Sequence, residues 1–343
     1  HLYLEVNMLI SESPQFLKVA MERNLSIITG GTGKTTVLKA IIEVYCILHP
    51  RNRIVLAAPT GKTSRCMTQS SGVKCVGLCH SVQVCAKELL EGLGMSTEGV
   101  TWRIGGINHQ AWLLELKRNG VDIYPEVRKA ALARTDSHND MVRYQIMKVF
   151  GYYVTESSSH GSEYLPYYHK FRYPELKEIY HLPTNGYKNW GRGKAEYWQE
   201  IENMIKDDSL THIRSREYAS YILDSMETNT PYEIAGNVLN TNGLISNLPR
   251  KACVEVPCLV NSNGIQPISF GALPEQCAAV NRTNINMQLL SIEAALTGRR
   301  EHIYHAALLD PHTSAELSID DIIAMCDELI ELNKPFIHPG FFR

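Results

Sequence analysis

The sequence predicts an α/β protein, with a βαβ piece near the N-terminus followed by a mixed α+β domain that carries several long helices. Two observations point there. Residues 25–59 read as "LSIIT", a glycine turn, "TTVLKAIIEVYCIL" with apolar residues at helical spacing, and a second buried-type run, "RIVLAAP". That order is strand, loop, helix, strand. From Val73 onward the text changes to short apolar runs, amphipathic stretches such as "IIAMCDELIEL", and loops rich in Asn, Gly and Pro around 237–249 and 261–267. Those loops suggest a scaffolded cleft.

Composition bounds the function. The 343 residues are 44% hydrophobic and 20% charged, ordinary for a globular chain long enough for two or three domains. A net charge of -2 argues against a nucleic-acid partner. No apolar run is long enough to span a bilayer. Nine cysteines, an odd number scattered along the chain, suit a reducing compartment better than a disulfide framework, so a cytoplasmic location is expected. The chain begins at His1, which suggests a fragment or a processed form.

The glycine turn in "LSIITGGTGKTTVLKA" has the chemistry of a phosphate site. Gly30, Gly31 and Gly33 would lie at a helix N-terminus, where backbone N–H groups favour an anion. Lys34 would reach phosphates and Thr35 would stand where a Mg²⁺ ligand belongs. The spacing is defective, because Ile28 occupies the position where the phosphate-loop pattern needs glycine. A Rossmann-like dinucleotide reading fares worse. Thr36 stands at the third glycine position, and "LAAPT" offers no carboxylate for a ribose. A βαβ unit that binds no nucleotide explains the stretch as well as a working site does. With "LAAPTGKTSRCM", residues 12–72 resemble the ATP-binding start of RecD-like DNA helicases, with a Pro-Gly pair missing from the loop.

Further on, "VGLCHSVQVCAKELLEGLGM" gives a short strand, a Cys-His pair and an amphipathic helix, and "GGINHQAWLLEL" places His109 on a glycine-led turn. A thiol and an imidazole at loop positions, Cys79 and His109, have the chemistry to hold a divalent metal. On spacing alone, a buried Cys and a hydrogen-bonded His are the simpler account. The tyrosines at 152, 153, 164, 167 and 168 read as core or surface aromatics.

These phrases, with "FGYYVTESS", "EYASYI", "GLISNLP", "VEVPCLV", "NRTNIN" and "AALLDPHT", are similar in order and wording to family 4 glycoside hydrolases, the α-galactosidase branch above all, from about Val73 to Leu332. The resemblance implies an NAD⁺- and Mn²⁺-dependent glycosidase. NAD⁺ oxidises C3 of the sugar, a base takes the C2 proton while the metal stabilises the resulting anion, and the glycosidic oxygen leaves by elimination. It implies Cys79 and His109 as metal ligands and His80 as the acid. It implies Tyr164 as the base, with Tyr167 as runner-up, and Asn108 as a sugar contact. It also implies an α-galactoside or related sugar as substrate, and self-association.

The family's N-terminal Rossmann fingerprint is not found before Val73. The expected organisation is therefore a chimera: residues 1–72 a truncated phosphate-loop segment, residues 73–343 the glycosidase catalytic and C-terminal domain. The NAD⁺ implied by the resemblance then has no evident site. The other expected cofactor contacts are Gly31, Gly33, Lys34 and Thr35 toward phosphate. Two further readings compete with the hydrolase: an ATP-binding, helicase-related protein, and a sugar-binding remnant without catalysis.

Overall fold

A computed structural model of the chain describes residues 56–58, 75–78, 81–183, 186–207, 218–335, 337 and 339–342. The glycine turn with Gly31, Gly33, Lys34 and Thr35 lies outside the described residues, as do Cys79 and His80. The elements in chain order begin with β1 (Leu56–Ala58), β2 (Cys75–Leu78), α1 (Ser81–Gly92), β3 (Val100–Ile107), β4 (Gln110–Arg118) and β5 (Val121–Asp122). Next come α2 (Tyr124–Ala133), α3 (Met141–Phe150), β6 (Tyr153–Val154), α4 (Ser158–Glu163), α5 (Leu176–Ile179), α6 (Gly186–Lys206) and α7 (Ala219–Thr228). The chain continues through β7 (Tyr232–Leu239), β8 (Cys253–Asn261), β9 (Gly264–Pro267), α8 (Glu275–Thr297), α9 (Glu301–Leu308), α10 (Thr313–Glu316) and α11 (Ile319–Leu332).

The strands form one mixed sheet in the order β1-β2-β7-β8-β3-β4-β5, with β6 added to β4 and β9 to β8. β1 and β2 run parallel, and every other pair is antiparallel. The run "RIVLAAP" thus yields a strand at Leu56–Ala58, which hydrogen-bonds to β2 on the far side of residues 72 and 73.

Side-chain alternation along β4 builds a core on each face of the sheet. Trp112 joins Ile107, Val254, Val256, Cys258, Val260 and Ile285 on one face. Ala111 and Leu113 join Cys85, Leu89, Leu90, Tyr124 and Met147 on the other. α1 brings Val82, Cys85, Ala86, Leu89 and Leu90 to that second core, at the helical spacing its sequence shows. Burial pushes the Cys85, Cys258 and Cys277 thiols up to about 12. They act as small apolar core residues.

"IIAMCDELIEL" folds as the amphipathic helix its period predicts. Ser318 caps α11 by accepting from the Asp321 N–H at 3.2 Å, and Ile322, Cys326 and Ile330 face inward. Among the described residues no helix is long and apolar enough to cross a membrane.

Candidate active site

β3 and β4 pair down to Ile107 and Gln110, leaving Asn108 and His109 as a two-residue turn. His109 takes φ 64, a left-handed conformation uncommon for a residue with a Cβ. The two preceding glycines are there for contact reasons. A Cβ on Gly105 would lie 2.7 Å from the Phe270 ring, and one on Gly106 would lie 2.6 Å from the Ala111 Cα. The hairpin can close and bury only if both side chains are absent.

A second segment, residues 155–164, wraps the same turn. Thr155 N donates to the Ala111 carbonyl at 2.8 Å, and Ala111 N donates to Thr155 Oγ1 at 3.1 Å, which ties the segment to β4. Glu156 follows with φ 72. Its carbonyl accepts from Arg143 Nη1 at 2.5 Å, and Arg143 is itself buried against Asp140 and the Tyr153 ring. Ser157 then caps α4, with its hydroxyl 3.1 Å from His160 Nδ1.

Three side chains of this segment converge on the turn. Glu156 Oε1 lies 3.5 Å from His109 Nδ1. The His160 ring stacks on His109 with centroids 5.0 Å apart and planes at 24°, and Tyr164 meets His109 edge-on at 6.2 Å. His109 Nδ1 is buried and has no hydrogen-bond partner among the described residues. Tyr164 is half-buried at the C-terminal end of α4, whereas Tyr167 is 54% exposed. Of the two tyrosines expected from the sequence, Tyr164 is the one the fold brings to His109.

Beneath the turn runs a row set by strand register. Gly77 on β2 is opposite Asn237 on β7, Asn237 is opposite Glu255 on β8, and Glu255 is opposite Gly106 on β3. Asn237 Nδ2 donates to Asn108 Oδ1 at 3.1 Å and reaches Glu255 Oε1 at 3.4 Å. Glu255 is 1% exposed, and its Oε2 has no hydrogen-bond partner among the described residues. Burial pushes its carboxyl well above the usual range; the Asn237 amide pulls it back, and the Glu156 carboxylate pushes it up further. At the other end of the row, β2 ends at Leu78, opposite Gly236, one residue before Cys79 in the chain.

α8 supplies the remaining scaffold through the asparagines of "NRTNIN". Asn281 Nδ2 donates to the Gln110 carbonyl at 2.8 Å and to Gln110 Oε1 at 3.0 Å, while its Oδ1 accepts from Trp112 Nε1 at 3.2 Å. Asn284 Nδ2 donates to Gln110 Oε1 and to the Tyr164 carbonyl, each at 3.1 Å. One helix face thus fixes both the hairpin that carries His109 and the backbone that carries Tyr164. Sequence reasoning missed Arg143, Asn237, Glu255, Asn281 and Asn284. Two signals were there to be read: a carboxyl inside the apolar run "VEVPCLV", and two amides at i, i+3 on a helix.

Among the described residues no group of three or more His, Cys, Asp and Glu gathers as a metal cluster. The described donors at the turn are His109 and Glu156.

The class of this domain, an antiparallel core with a His-bearing hairpin, is given by comparison with known proteins. The model of the family 4 glycosyl hydrolase C-terminal domain matches residues 104–313, and the chain belongs to that family. It is 51% identical over 273 residues to an alpha-galactosidase of Bacillus subtilis, covering 79% of this chain and 63% of that protein. It is 35% identical over 272 residues to an alpha-galactosidase of Rhizobium meliloti, covering 75% of this chain and 55% of that one. The chain therefore spans less than two thirds of the length of these relatives.

Among solved structures, lplD from Bacillus subtilis superposes with a TM-score of 0.72 at 22% identity, over 88% of this chain and 75% of that one. A 6-phospho-alpha-glucosidase from gut microorganisms, solved in complex with NAD and Mn²⁺, gives 0.68 at 16%, over 88% of this chain and 72% of that one. Both show the shared fold. A second family model, an AAA domain, matches residues 15–161 and overlaps the glycosidase match over 104–161. The overlapped residues include β4 and α3, whose Trp112, Val142 and Ile146 share one core with Ile234 of β7 and Val254 of β8.

Proposed function

We propose that this chain carries the cation- and sugar-handling part of a family 4 glycosidase acting on α-galactosides. The observation that carries the reading is the His109 turn, enclosed by Glu156, His160 and Tyr164, in a chain 51% identical to an alpha-galactosidase. The donors fit a divalent cation such as Mn²⁺. His109 offers a buried ring nitrogen with no hydrogen-bond partner among the described residues, Glu156 places a carboxylate beside it, and Cys79 follows Leu78 in the sequence. A bound cation supplies Lewis acidity toward sugar oxygens, and NAD⁺ supplies reversible hydride transfer.

The chain's own residues divide the remaining work. His109 and Cys79 hold the cation. Tyr164, edge-on to His109, takes a proton from carbon, and its carbonyl is anchored by Asn284. His80, adjacent to Cys79 in sequence, gives a proton to the leaving oxygen. Asn108 commits its Oδ1 to Asn237 and so would meet a sugar hydroxyl through its amide nitrogen. Self-association is supported by α6, whose Tyr197, Trp198 and Ile205 are exposed.

NAD⁺ would have to be held before Val73, where a phosphate-loop pattern stands in place of a dinucleotide fingerprint. We take residues 1–72 and 73–343 as two units of different origin; the AAA match begins in the first and runs on into the second, to residue 161. A nucleotide-phosphate site at Gly31, Gly33, Lys34 and Thr35 is accordingly the second reading. The test uses p-nitrophenyl α-galactoside with Mn²⁺, NAD⁺ and a reductant. Release of p-nitrophenol that is abolished by Cys79→Ala supports the glycosidase. ATP hydrolysis lost on Lys34→Ala, with no sugar cleavage, would replace it with the second reading.

A further inference from the structure

We propose that Glu255 is a positioning residue that holds the cation-binding turn in place through Asn237 and Asn108. The register row runs from β2 through Asn237 and Glu255 to the base of the hairpin, and the hydrogen bonds follow it: Glu255 Oε1 receives the Asn237 amide, and the same amide nitrogen donates to Asn108 Oδ1. Asn108 is the residue before His109, in a turn only two residues long. His109 sits in a left-handed conformation that its own side chain disfavours, and contacts outside the turn add to the strand pairing that holds it there.

The bonds around the row supply those contacts. On one side, Thr155 and Asn281 fix the strand that leaves the turn. On the other, the Asn108–Asn237–Glu255 row is the side-chain path from the turn back into the sheet. All three of its residues are buried, with Glu255 at 1% and Asn237 at 0% exposure. A carboxyl buried this deeply, with its second oxygen lacking a hydrogen-bond partner among the described residues, is costly, and packing alone would be served better by an apolar residue. Among the described residues, the side-chain hydrogen bond that Glu255 makes leads toward the turn.

The assignment of a cation to this turn rests on the function proposed above; the mechanical role of Glu255 does not. The experiment therefore reads both. Amide hydrogen exchange of the peptide spanning residues 104–113 is compared in the parent chain, Glu255→Gln and Glu255→Ala, alongside Mn²⁺ titration of each. The row predicts that Glu255→Ala speeds exchange at the turn amides at least tenfold and leaves β7 and α8 unchanged. Glu255→Gln, which keeps an oxygen facing Asn237, restores the parent rate.

Mn²⁺ affinity should fall roughly 10- to 100-fold in Glu255→Ala, the usual effect of removing a group that orients a ligand, and stay near parental in Glu255→Gln. If Glu255→Ala does not fold, Asn237→Ser cuts the row at its middle and carries the same expectation. Turn exchange unchanged in the alanine or serine variant overturns the proposal, as does a glutamine variant as fast as alanine. A parent chain that binds no Mn²⁺ would count against the proposed function, while the exchange rates would still decide the role of Glu255.

Discussion

The imidazoles of His109 and His160 stack with their centroids 5.0 Å apart and planes at 24°, one ring from the hairpin turn and the other from α4. His160 is held in turn by the Ser157 hydroxyl at its Nδ1. The stack therefore orients His109 from the outside, and His160 has a role although no sequence pattern assigned it one. His160→Ala should weaken Mn²⁺ binding roughly tenfold with little change in Tm, because a group that orients a ligand is lost and no core volume is. Isothermal titration reads the affinity. An unchanged Kd would remove His160 from the site.

Arg143 ties α3 to the segment that carries Glu156. Its guanidinium is buried, bonds Asp140 and the Glu156 carbonyl, and covers the Tyr153 ring. Removing one partner of a buried pair leaves the other without compensation. Arg143→Ala should therefore cost about 3–5 kcal/mol in urea unfolding. Arg143→Met, which keeps the apolar stem, should cost less. Equal stability of the alanine variant and the parent would contradict this.

Glu156 combines a left-handed φ of 72 with a carboxylate 3.5 Å from His109 Nδ1. The conformation costs a residue with a Cβ about 1 kcal/mol, while the carboxylate is a donor that the proposed cation site would use. Glu156→Gly should accordingly leave stability near parental or slightly above it, yet weaken Mn²⁺ binding. A glycine variant destabilised by several kcal/mol would show that the Glu156 side chain serves packing.

Glu255 gives a pH signature. Its carboxyl titrates well above the usual range in the folded chain, through burial and the Glu156 charge. The folded state therefore holds a proton that the unfolded state has released. Its contribution to stability is full below the unfolded value, about 4.3, and is lost as pH rises toward the folded one. In chelator-treated protein, Glu255→Gln should match the parent near pH 4 and exceed it in stability at pH 8. A stability difference that is flat across that range would contradict the direction of the shift.

Much of the fold was legible because burial wrote it into period and punctuation. Strand β2, helix α1, the His109 turn and helix α11 all follow from apolar spacing and glycines. The sequence singled out both His109, in "INHQAW", and Tyr164, and the fold places their rings edge-on at 6.2 Å. The supporting groups were not legible, since Asn237, Glu255, Asn281 and Asn284 act across 18 to 174 residues of sequence separation. Only strand register brings Glu255 beside Gly106, and only packing of α8 brings Asn284 to Tyr164. The glycine loop "ITGGTGKTT", the most conspicuous motif in the text, lies outside the described residues, and the site described here is built without it.

The central claim is that the His109 turn, with Cys79, forms a divalent-cation site in a family 4 glycosidase domain. Mn²⁺ titration followed by electron paramagnetic resonance tests it most directly, in the parent chain and in His109→Ala and Cys79→Ala variants whose folding is checked by circular dichroism. One bound Mn²⁺ per chain in the parent, lost in both folded variants, is the predicted result. A stoichiometry and affinity left unchanged by either substitution would contradict the account.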